Sequence, residues 1–453
     1  MRLFGSSGVR GLANVDLTPI LAEKVGLAVA TFSNARYVAV ARDTRVTGAM
    51  LEEALVSGLE SGGANVRCLG VTPTPVLAFL TKKIGADAGV MITASHNPPE
   101  YNGIKIFKSD SSAYDEKSQN EIERIITESS YRQVPWTGIG HAQQSDENRL
   151  YFENLKKRIK LQRKWHVVVD PGCGATFSLG PAILQGLGCR VTALNAQPDG
   201  WFPARSSEPN AKSLRSLARV VKALGADIGV AYDGDGDRAA FIDEKGDFAD
   251  FDQALAAYAA HVVEKNGGGT VVTSVETSMS MEKMVEPLDG KVGRTKVGDV
   301  YIAETMKKRN ALFGGEPCGA WIHPQFHHCP DGILSSALIL EALEDKNKNL
   351  AEFVGAAPKY PVFRENFSCK NELKEKALRE IGEGLKAVFP AHIEFSRVDG
   401  VRLVLENGWL LVRPSGTEPT MRLTVEGESL KAANQIMQRG AELIKNTIGN
   451  GGR

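Results

Sequence analysis

The chain has 453 residues, and its 54 Lys and Arg balance 54 Asp and Glu, so the formal net charge is zero. That balance excludes the broad basic surface a nucleic-acid binder needs, and no apolar stretch reaches the ~18 residues of a membrane span. The length exceeds the ~250–300 residues at which a single core stops growing, so several domains are expected.

A strand–helix–strand pattern recurs three times along the chain. The first copy takes 37–41, 48–61 and 66–69, the second 166–170, 180–187 and 190–194, and the third 270–274, 279–285 and 291–294. Alternating β and α segments with short links predict layered α/β domains. Between the first two copies, 117–130 reads as a charged helix, 133–145 as a loop and 148–163 as a long helix. The third unit is expected to begin near Phe248 with a helix over 252–264. Pro358-Lys359-Tyr360-Pro361 marks the next break, after which helices over 371–388 and 429–448 flank strands at 401–405 and 409–412. The boundaries that follow are 1–145, 146–247, 248–357 and 358–453, with the last unit able to swing as a lid.

Four segments carry chemistry. The apolar run Ala88-Gly89-Val90-Met91-Ile92 breaks into Thr93-Ala94-Ser95-His96-Asn97-Pro98-Pro99. Two prolines end the strand and stiffen the loop, which presents one hydroxyl at a strand's carboxyl end, where α/β proteins place their chemistry. Asp233-Gly234-Asp235-Gly236-Asp237-Arg238 follows the buried-strand pattern 226–232. Three carboxylates this close repel one another unless a cation lies between them, and oxygen ligands select a hard ion, Mg²⁺ or Ca²⁺. An EF-hand loop has the same alternating acids, and Glu244 falls at its twelfth position. Its sixth position requires glycine and here is Arg238, and 239–242 reads as a strand instead of a helix. Arg413-Pro414-Ser415-Gly416-Thr417-Glu418-Pro419, with Arg422 beyond it, combines guanidinium, hydroxyls and a glycine turn, the groups a phosphate dianion needs. Gly315-Glu316-Pro317-Cys318-Gly319-Ala320-Trp321 offers an acid for sugar hydroxyls and an indole to cover a sugar's apolar face.

Taken together and in their order along the chain, these segments resemble the α-D-phosphohexomutase superfamily over nearly the whole chain. The phosphoserine loop continues to Asn102-Gly103-Ile104-Lys105, and Phe4-Gly5-Ser6-Ser7-Gly8-Val9-Arg10-Gly11 resembles the family's amino-terminal arginine loop. Ser-Gly-Thr-Glu-Pro at 415–419 and Lys296-Val297-Gly298-Asp299 resemble the phosphoglucosamine mutase branch. The sugar loop departs from the family's Glu-x-Ser-Gly-His, with Cys318 for the serine and Ala320 for the histidine, and Tyr101 is closer to phosphomannomutases.

The resemblance implies an α/β fold of four domains, three similar α/β/α layers with mixed sheets and a smaller C-terminal α+β domain, around a central cleft. It implies a hexose phosphate substrate, most like glucosamine 6-phosphate, converted to the 1-phosphate through phosphorylated Ser95 and a 1,6-bisphosphate that turns end for end. Mg²⁺ is then held by Ser95, Asp233, Asp235 and Asp237. Lys105 is the expected acid/base, with His96 shaping the phosphate pocket and Arg10 and Arg238 on the transferred phosphate. Lys296, Glu316 and Cys318 face the sugar, and Arg413, Ser415, Gly416, Thr417 and Arg422 hold the distal phosphate.

Other readings are weaker. A serine hydrolase needs a histidine–acid pair behind Ser95 and has no Gly-x-Ser-x-Gly elbow here. His323, His327, His328 and Cys329 fit no zinc spacing. A non-enzymatic Ca²⁺ module is the rival from outside the enzymes. Six scattered cysteines form no Cys-x-x-Cys pair and are expected as buried or free thiols in a reducing compartment. With no leader pattern at Met1-Arg2-Leu3-Phe4, a cytoplasmic monomer or homodimer without nucleic-acid or membrane partners is expected.

Overall fold

A computed structural model of the protein describes residues 3–5, 8–415 and 418–450. Ser6, Ser7, Gly416 and Thr417, all within motifs singled out above, lie outside the described residues.

The first domain runs β1 (Phe4–Gly5), β2 (Gly8–Leu12), α1 (Pro19–Phe32), β3 (Tyr37–Arg42), α2 (Gly48–Ser61), β4 (Asn65–Val71), α3 (Thr74–Lys83), β5 (Ala88–Ile92), β6 (Tyr101–Lys108), α4 (Glu116–Glu128) and β7 (Ala142–Gln144). Its sheet has the order β1-β2-β6-β5-β3-β4-β7. It is parallel from β5 to β7 and antiparallel from β5 to β1. Local chemistry starts the helices: Thr18 caps α1 at the Leu21 N–H with Pro19 at its first turn, and Asp115 caps α4 at the Ser118 N–H.

The second domain comprises α5 (Asn148–Arg158), β8 (His166–Asp170), α6 (Leu179–Gly186), β9 (Arg190–Ala193), α7 (Arg215–Leu224), β10 (Ile228–Tyr232) and β11 (Ala239–Ile242), with sheet order β11-β10-β8-β9. The third comprises α8 (Phe251–Lys265), β12 (Gly269–Ser274), α9 (Ser280–Val285), β13 (Gly290–Thr295), α10 (Asp299–Arg309), β14 (Phe313–Gly315), β15 (Trp321–Ile322), α11 (Gly332–Lys346) and α12 (Leu350–Val354), ordered β13-β12-β14-β15. The fourth is an antiparallel sheet under two helices: β16 (Val362–Ser368), α13 (Lys374–Val388), β17 (Glu394–Ser396), β18 (Val401–Leu405), β19 (Gly408–Pro414), β20 (Thr420–Gly427) and α14 (Leu430–Asn450), ordered β16-β20-β19-β18-β17.

One apolar cluster runs through three domains, from Met91 and Phe79 through Val167 and Tyr232 to Tyr258 and Ile333. The fourth domain has its own core around Ile381, Leu403 and Leu423. Its apolar contact with the third is a small patch of Val275, Trp409 and Leu411, flanked by Met279 and Val297, with the Met279 N–H donating to Glu426 and the Val297 N–H to Asp399 beside it. A separately cored unit on a small contact can move against the rest.

Three expectations shift. Helix 148–163 stops at Arg158, where Ile159 turns extended and the Glu344 carboxylate accepts the N–H groups of Gln162 and Arg163 at 2.8 Å each. The helix expected from 371 opens as a 3₁₀ turn, Asn371–Leu373, before α13. The expected loop 133–145 holds the 3₁₀ turn Trp136–Gly138 and β7, which extends the first sheet beside β4.

Candidate active site

Three of the four motifs follow the carboxyl ends of buried strands: the Ser95 loop after β5, the aspartate loop after β10 and the Glu316 loop after β14. The fourth is the connection between β19 and β20.

Ser95 is buried, with its backbone in the left-handed region at φ 52°. Its Oγ donates to Asp233 Oδ2 at 2.7 Å across the first and second domains. Its N–H donates to Thr93 Oγ1 at 2.9 Å. His96 Nδ1 lies 3.4 Å from the same hydroxyl. Burial first, then the charges of Arg238 and Arg10, push the imidazole down to about 3, so the ring is neutral. The hydroxyl therefore faces a carboxylate directly, not through a histidine relay, and the serine-hydrolase arrangement falls away.

Asp233, Asp235 and Asp237 are buried, with one oxygen of each within 4.8 Å of the others. Glycine at 234 is required by contact, since a Cβ there would lie 2.5 Å from the Ser95 carbonyl oxygen. Asp233 Oδ1 accepts the N–H groups of Gly236 and Arg238 at 3.0 and 3.1 Å. Asp235 Oδ2 accepts Thr74 Oγ1 at 2.5 Å and Lys105 Nζ at 2.8 Å, and Asp237 Oδ2 accepts the same ammonium at 2.6 Å. Asp235 Oδ1 and Asp237 Oδ1 are buried with no hydrogen-bond partner among the described residues. Such orphaned carboxylate oxygens are costly, and they fit a hard cation. The three residues form a group able to hold a metal ion.

Charge follows geometry here. Burial, then Asp237 and Asp235, hold the Asp233 carboxyl far above the usual range. Asp235 sits below that range: burial opposes this, and Lys105 overcomes it. Burial likewise works against the Lys105 ammonium, and the attraction of Asp235 and Asp237 wins, raising it above an ordinary lysine. The EF-hand reading ends here. The residues after Arg238 form β11, antiparallel to β10, and Glu244 Oε2 accepts the Ala351 N–H at 3.4 Å.

Two arginines flank the group. Arg10 Nη1 donates to Asn97 Oδ1 at 2.9 Å, and its buried Nε has no hydrogen-bond partner among the described residues. Arg238 Nε lies 3.9 Å from Asp237 Oδ1. Burial opposes the charge of Arg238, and Cys318, Asp233, Asp237 and Glu316 raise it. It thus bridges the aspartate loop and the Glu316 loop.

Glu316 Oε1 accepts the Gly298 N–H at 2.9 Å, which brings it beside Asp299. Burial, then Asp299, push the Glu316 carboxyl up to about 7. Cys318 is half-buried, and burial raises its thiol to about 12 although Arg238 pulls it down. Lys296 is exposed, its Nζ 5.2 Å from the Tyr301 ring centre. Trp321 does not cover a sugar. It is 1% exposed, stacked on Tyr258 at 5.2 Å and edge-on to Phe313, because β15 turns it into the third domain's core.

The fourth-domain loop is differently placed. Arg413 pairs with Glu276 of the third domain and with Asp399 Oδ2 at 2.9 Å. Arg422, opposite Arg413 in the sheet, is exposed and pairs with Glu418 at 3.1 Å. Ser415 is buried, and its Oγ accepts the Glu418 N–H at 3.2 Å.

Several contributors were missed in the sequence. Buried Lys374 grips both ends of the Ser415 loop, donating to the carbonyls of Ser415 at 2.6 Å and Glu418 at 2.5 Å. Thr74 ties the first domain to Asp235, and Ser207 Oγ reaches the His96 and Asn97 carbonyls at 2.7 and 2.9 Å. Asp43 and Arg45 brace the Ser95 loop from beneath. The run Arg42-Asp43-Thr44-Arg45 at the end of a buried strand stands out as charged, but nothing in it names the loop it holds. The histidine cluster makes separate contacts, His323 to Ser335 and His327 to Asp331. Among the described residues only the three aspartates gather as a metal-binding group. All six cysteines are free thiols, five of them buried, and no described helix is long and apolar enough to cross a membrane.

A strand-end serine against a triple-aspartate loop, inside three α/β domains with a fourth at the rim, defines the phosphohexomutase class. The comparisons agree along the chain. Residues 1–133, 149–246 and 250–360 match the phosphoglucomutase/phosphomannomutase α/β/α domains I, II and III, and 366–443 match the C-terminal domain of that family. A probable phosphoglucosamine mutase of Pyrococcus abyssi is 43% identical, covering 99% of this chain and 98% of its own. A phosphoglucosamine mutase of Methanocaldococcus jannaschii is 43% identical over 99% of both chains. The solved structure of a phosphoglucomutase/phosphomannomutase family protein from Burkholderia thailandensis superposes with a TM-score of 0.89 at 26% identity, covering 98% of this chain and 97% of that one. The chain belongs to the phosphoglucomutase/phosphomannomutase family and is an enzyme of the phosphohexomutase kind.

Proposed function

We propose that the enzyme interconverts glucosamine 6-phosphate and glucosamine 1-phosphate through a phosphorylated Ser95 and a 1,6-bisphosphate. The observation carrying the chemistry is the 2.7 Å contact of Ser95 Oγ with Asp233 inside the aspartate group. Phosphorylated Ser95 gives its phosphoryl group to the 1-hydroxyl of the 6-phosphate. The intermediate then turns end for end, and Ser95 takes the phosphoryl group from the other end. Asp233, Asp235 and Asp237, with a phosphoserine oxygen, suit Mg²⁺, which when bound supplies positive charge for the moving phosphoryl group. Arg10 and Arg238 add to that charge from the two sides. Lys105 is held protonated by Asp235 and Asp237, on the aspartate loop that Ser95 meets. It gives a proton to the departing Ser95 oxygen and recovers one from the attacking hydroxyl. His96, neutral, shapes the pocket without competing for that proton.

The choice of sugar rests on the names carried by the 43% relatives. The nearness of Asp299 and Glu316 supports it, since two carboxylates by the sugar loop suit a substrate with an ammonium group. Ser415, with Gly416 and Thr417, takes the distal phosphate. Arg413 joins by exchanging Glu276 and Asp399 for phosphate oxygens, and Arg422 adds charge at the rim. Lys296 and Cys318 border the sugar. Side-by-side turnover of glucosamine 6-phosphate, glucose 1-phosphate and mannose 1-phosphate tests the assignment. Preference for glucosamine 6-phosphate is expected, and preference for either of the others overturns it.

A further inference from the structure

The loop carrying Ser95 holds itself only in part, with the Asn97 N–H donating to the Ala94 carbonyl at 3.0 Å and the Tyr101 N–H to the Pro98 carbonyl at 3.1 Å. Pro98 and Pro99 have no N–H to donate, and Ser95 sits at φ 52°, a conformation costing about 1 kcal/mol for a residue with a Cβ. The remaining carbonyl lone pairs need donors from elsewhere, and Arg45 supplies most of them. Arg45 is 1% exposed, and its five N–H bonds are all used. Nε donates to Asp43 Oδ2 at 3.0 Å. Nη1 donates to the carbonyls of Pro98 at 2.5 Å and Tyr101 at 2.9 Å. Nη2 donates to those of Ser95 at 2.9 Å and Asn97 at 2.7 Å.

The clamp is itself braced. Asp43, fully buried, also accepts the Arg45 N–H at 2.9 Å and Thr93 Oγ1 at 2.6 Å, and Thr93 Oγ1 accepts the Ser95 N–H. From the second domain the Phe202 ring lies 5.1 Å from the guanidinium carbon. Gly200 packs so closely that a Cβ there would lie 2.4 Å from the Thr44 carbonyl oxygen. Ser207 holds the same loop from the opposite side through the carbonyls of His96 and Asn97.

We propose that Arg45 is the positioning residue that fixes the Ser95 loop, so that Oγ meets both ends of the bisphosphate in one place. This rests on Ser95 being the phosphoryl carrier. Two half-reactions on opposite ends of one intermediate succeed at a single serine only if that serine keeps its aim while the sugar turns. A misplacement of ~1 Å costs about 10²-fold in rate. Lysine cannot replace the clamp. It offers three donors from one point, where four carbonyls spread from Ser95 to Tyr101 must be reached by a planar fork.

The test is Arg45→Lys in the full-length Mg²⁺-loaded enzyme, with glucosamine 6-phosphate as substrate and near-UV circular dichroism as the check on folding. The clamp predicts kcat lowered about 100-fold with KM within about threefold, and partial recovery of kcat in Arg45→Ala on adding guanidinium. A folded Arg45→Lys enzyme with wild-type kcat, or a loss confined to KM, overturns it. If Arg45→Lys does not fold, Ser207→Ala decides. A kcat loss of about tenfold at constant KM supports the clamp, and an unchanged kcat overturns it. Absence of turnover in the wild-type enzyme would instead defeat the mutase reading itself.

Discussion

At the Ser95 end of the cleft the hydroxyl, three carboxylates and Lys105 are buried in mutual contact, and the loops beneath them are tied by Arg45, Thr74 and Ser207. At the Ser415 end Arg422 is exposed, and Arg413 is occupied by Glu276 and Asp399. The loop there belongs to a domain with its own core. The difference matches what the proposed mechanism asks of each end. Phosphoryl transfer depends on charges fixed before the reaction begins, so its groups sit where three domains share one apolar cluster. In that mechanism the distal end accepts a phosphate on either end of the intermediate, which suits a cation lodged on carboxylates that a phosphate can replace and a domain with a core of its own.

The comparison breaks most sharply at Ser95. Ser95→Ala is expected to lower kcat by about 10⁴-fold or more without unfolding the protein, measured by coupled turnover beside a thermal melt. Residual turnover near wild type would remove the serine from the mechanism. Next comes the aspartate group. Chelation is expected to cut activity about 10³-fold and added Mg²⁺ to restore it, with a loss of similar size in an Asp235→Asn enzyme that no longer responds to Mg²⁺. Lys105→Met should cost about 10²-fold in kcat at near-constant KM, and a loss confined to KM would make Lys105 a binding residue.

The sugar side gives a smaller effect with a definite sign. Glu316 titrates at about 7, above its ordinary 4.5, so it is anionic above that pH and neutral below it. An anion attracts the substrate ammonium, so KM for glucosamine 6-phosphate should rise by up to about tenfold per pH unit below 7, while KM for glucose 6-phosphate stays flat. Parallel pH profiles for the two sugars would refute this. The smallest effect is at the far end. Glu276→Gln releases one of the carboxylates on Arg413 and should lower KM about threefold with kcat unchanged. A raised KM would show that Glu276 helps the site instead of competing for its arginine.

Much of the Ser95 end was legible because its groups are contiguous in the chain: the run at 93–97 and the alternating acids at 233–237 announce themselves wherever they fold. Arg45 and Lys374 were not, because each acts through backbone carbonyls some fifty and forty residues away, a pairing that spacing cannot reveal. Trp321 misled, since an aromatic after a glycine-rich loop reads the same whether it lines a pocket or closes a core. Helices α3 and α11 escaped because both are buried on nearly every side, which erases the amphipathic stripe that marks a surface helix. Arg413 was picked as a cation for the distal phosphate, but its carboxylate partners come from another domain and from the loop before β18, which the sequence does not show.

The most direct measurement of the central claim is phosphate localisation by peptide mass spectrometry. The enzyme is charged with glucose 1,6-bisphosphate and then chased with glucosamine 6-phosphate. The account predicts one phosphoryl group on Ser95 that leaves with the added sugar, and none in Ser95→Ala. A stable phosphate on another residue, or turnover with Ser95 never labelled, would contradict it.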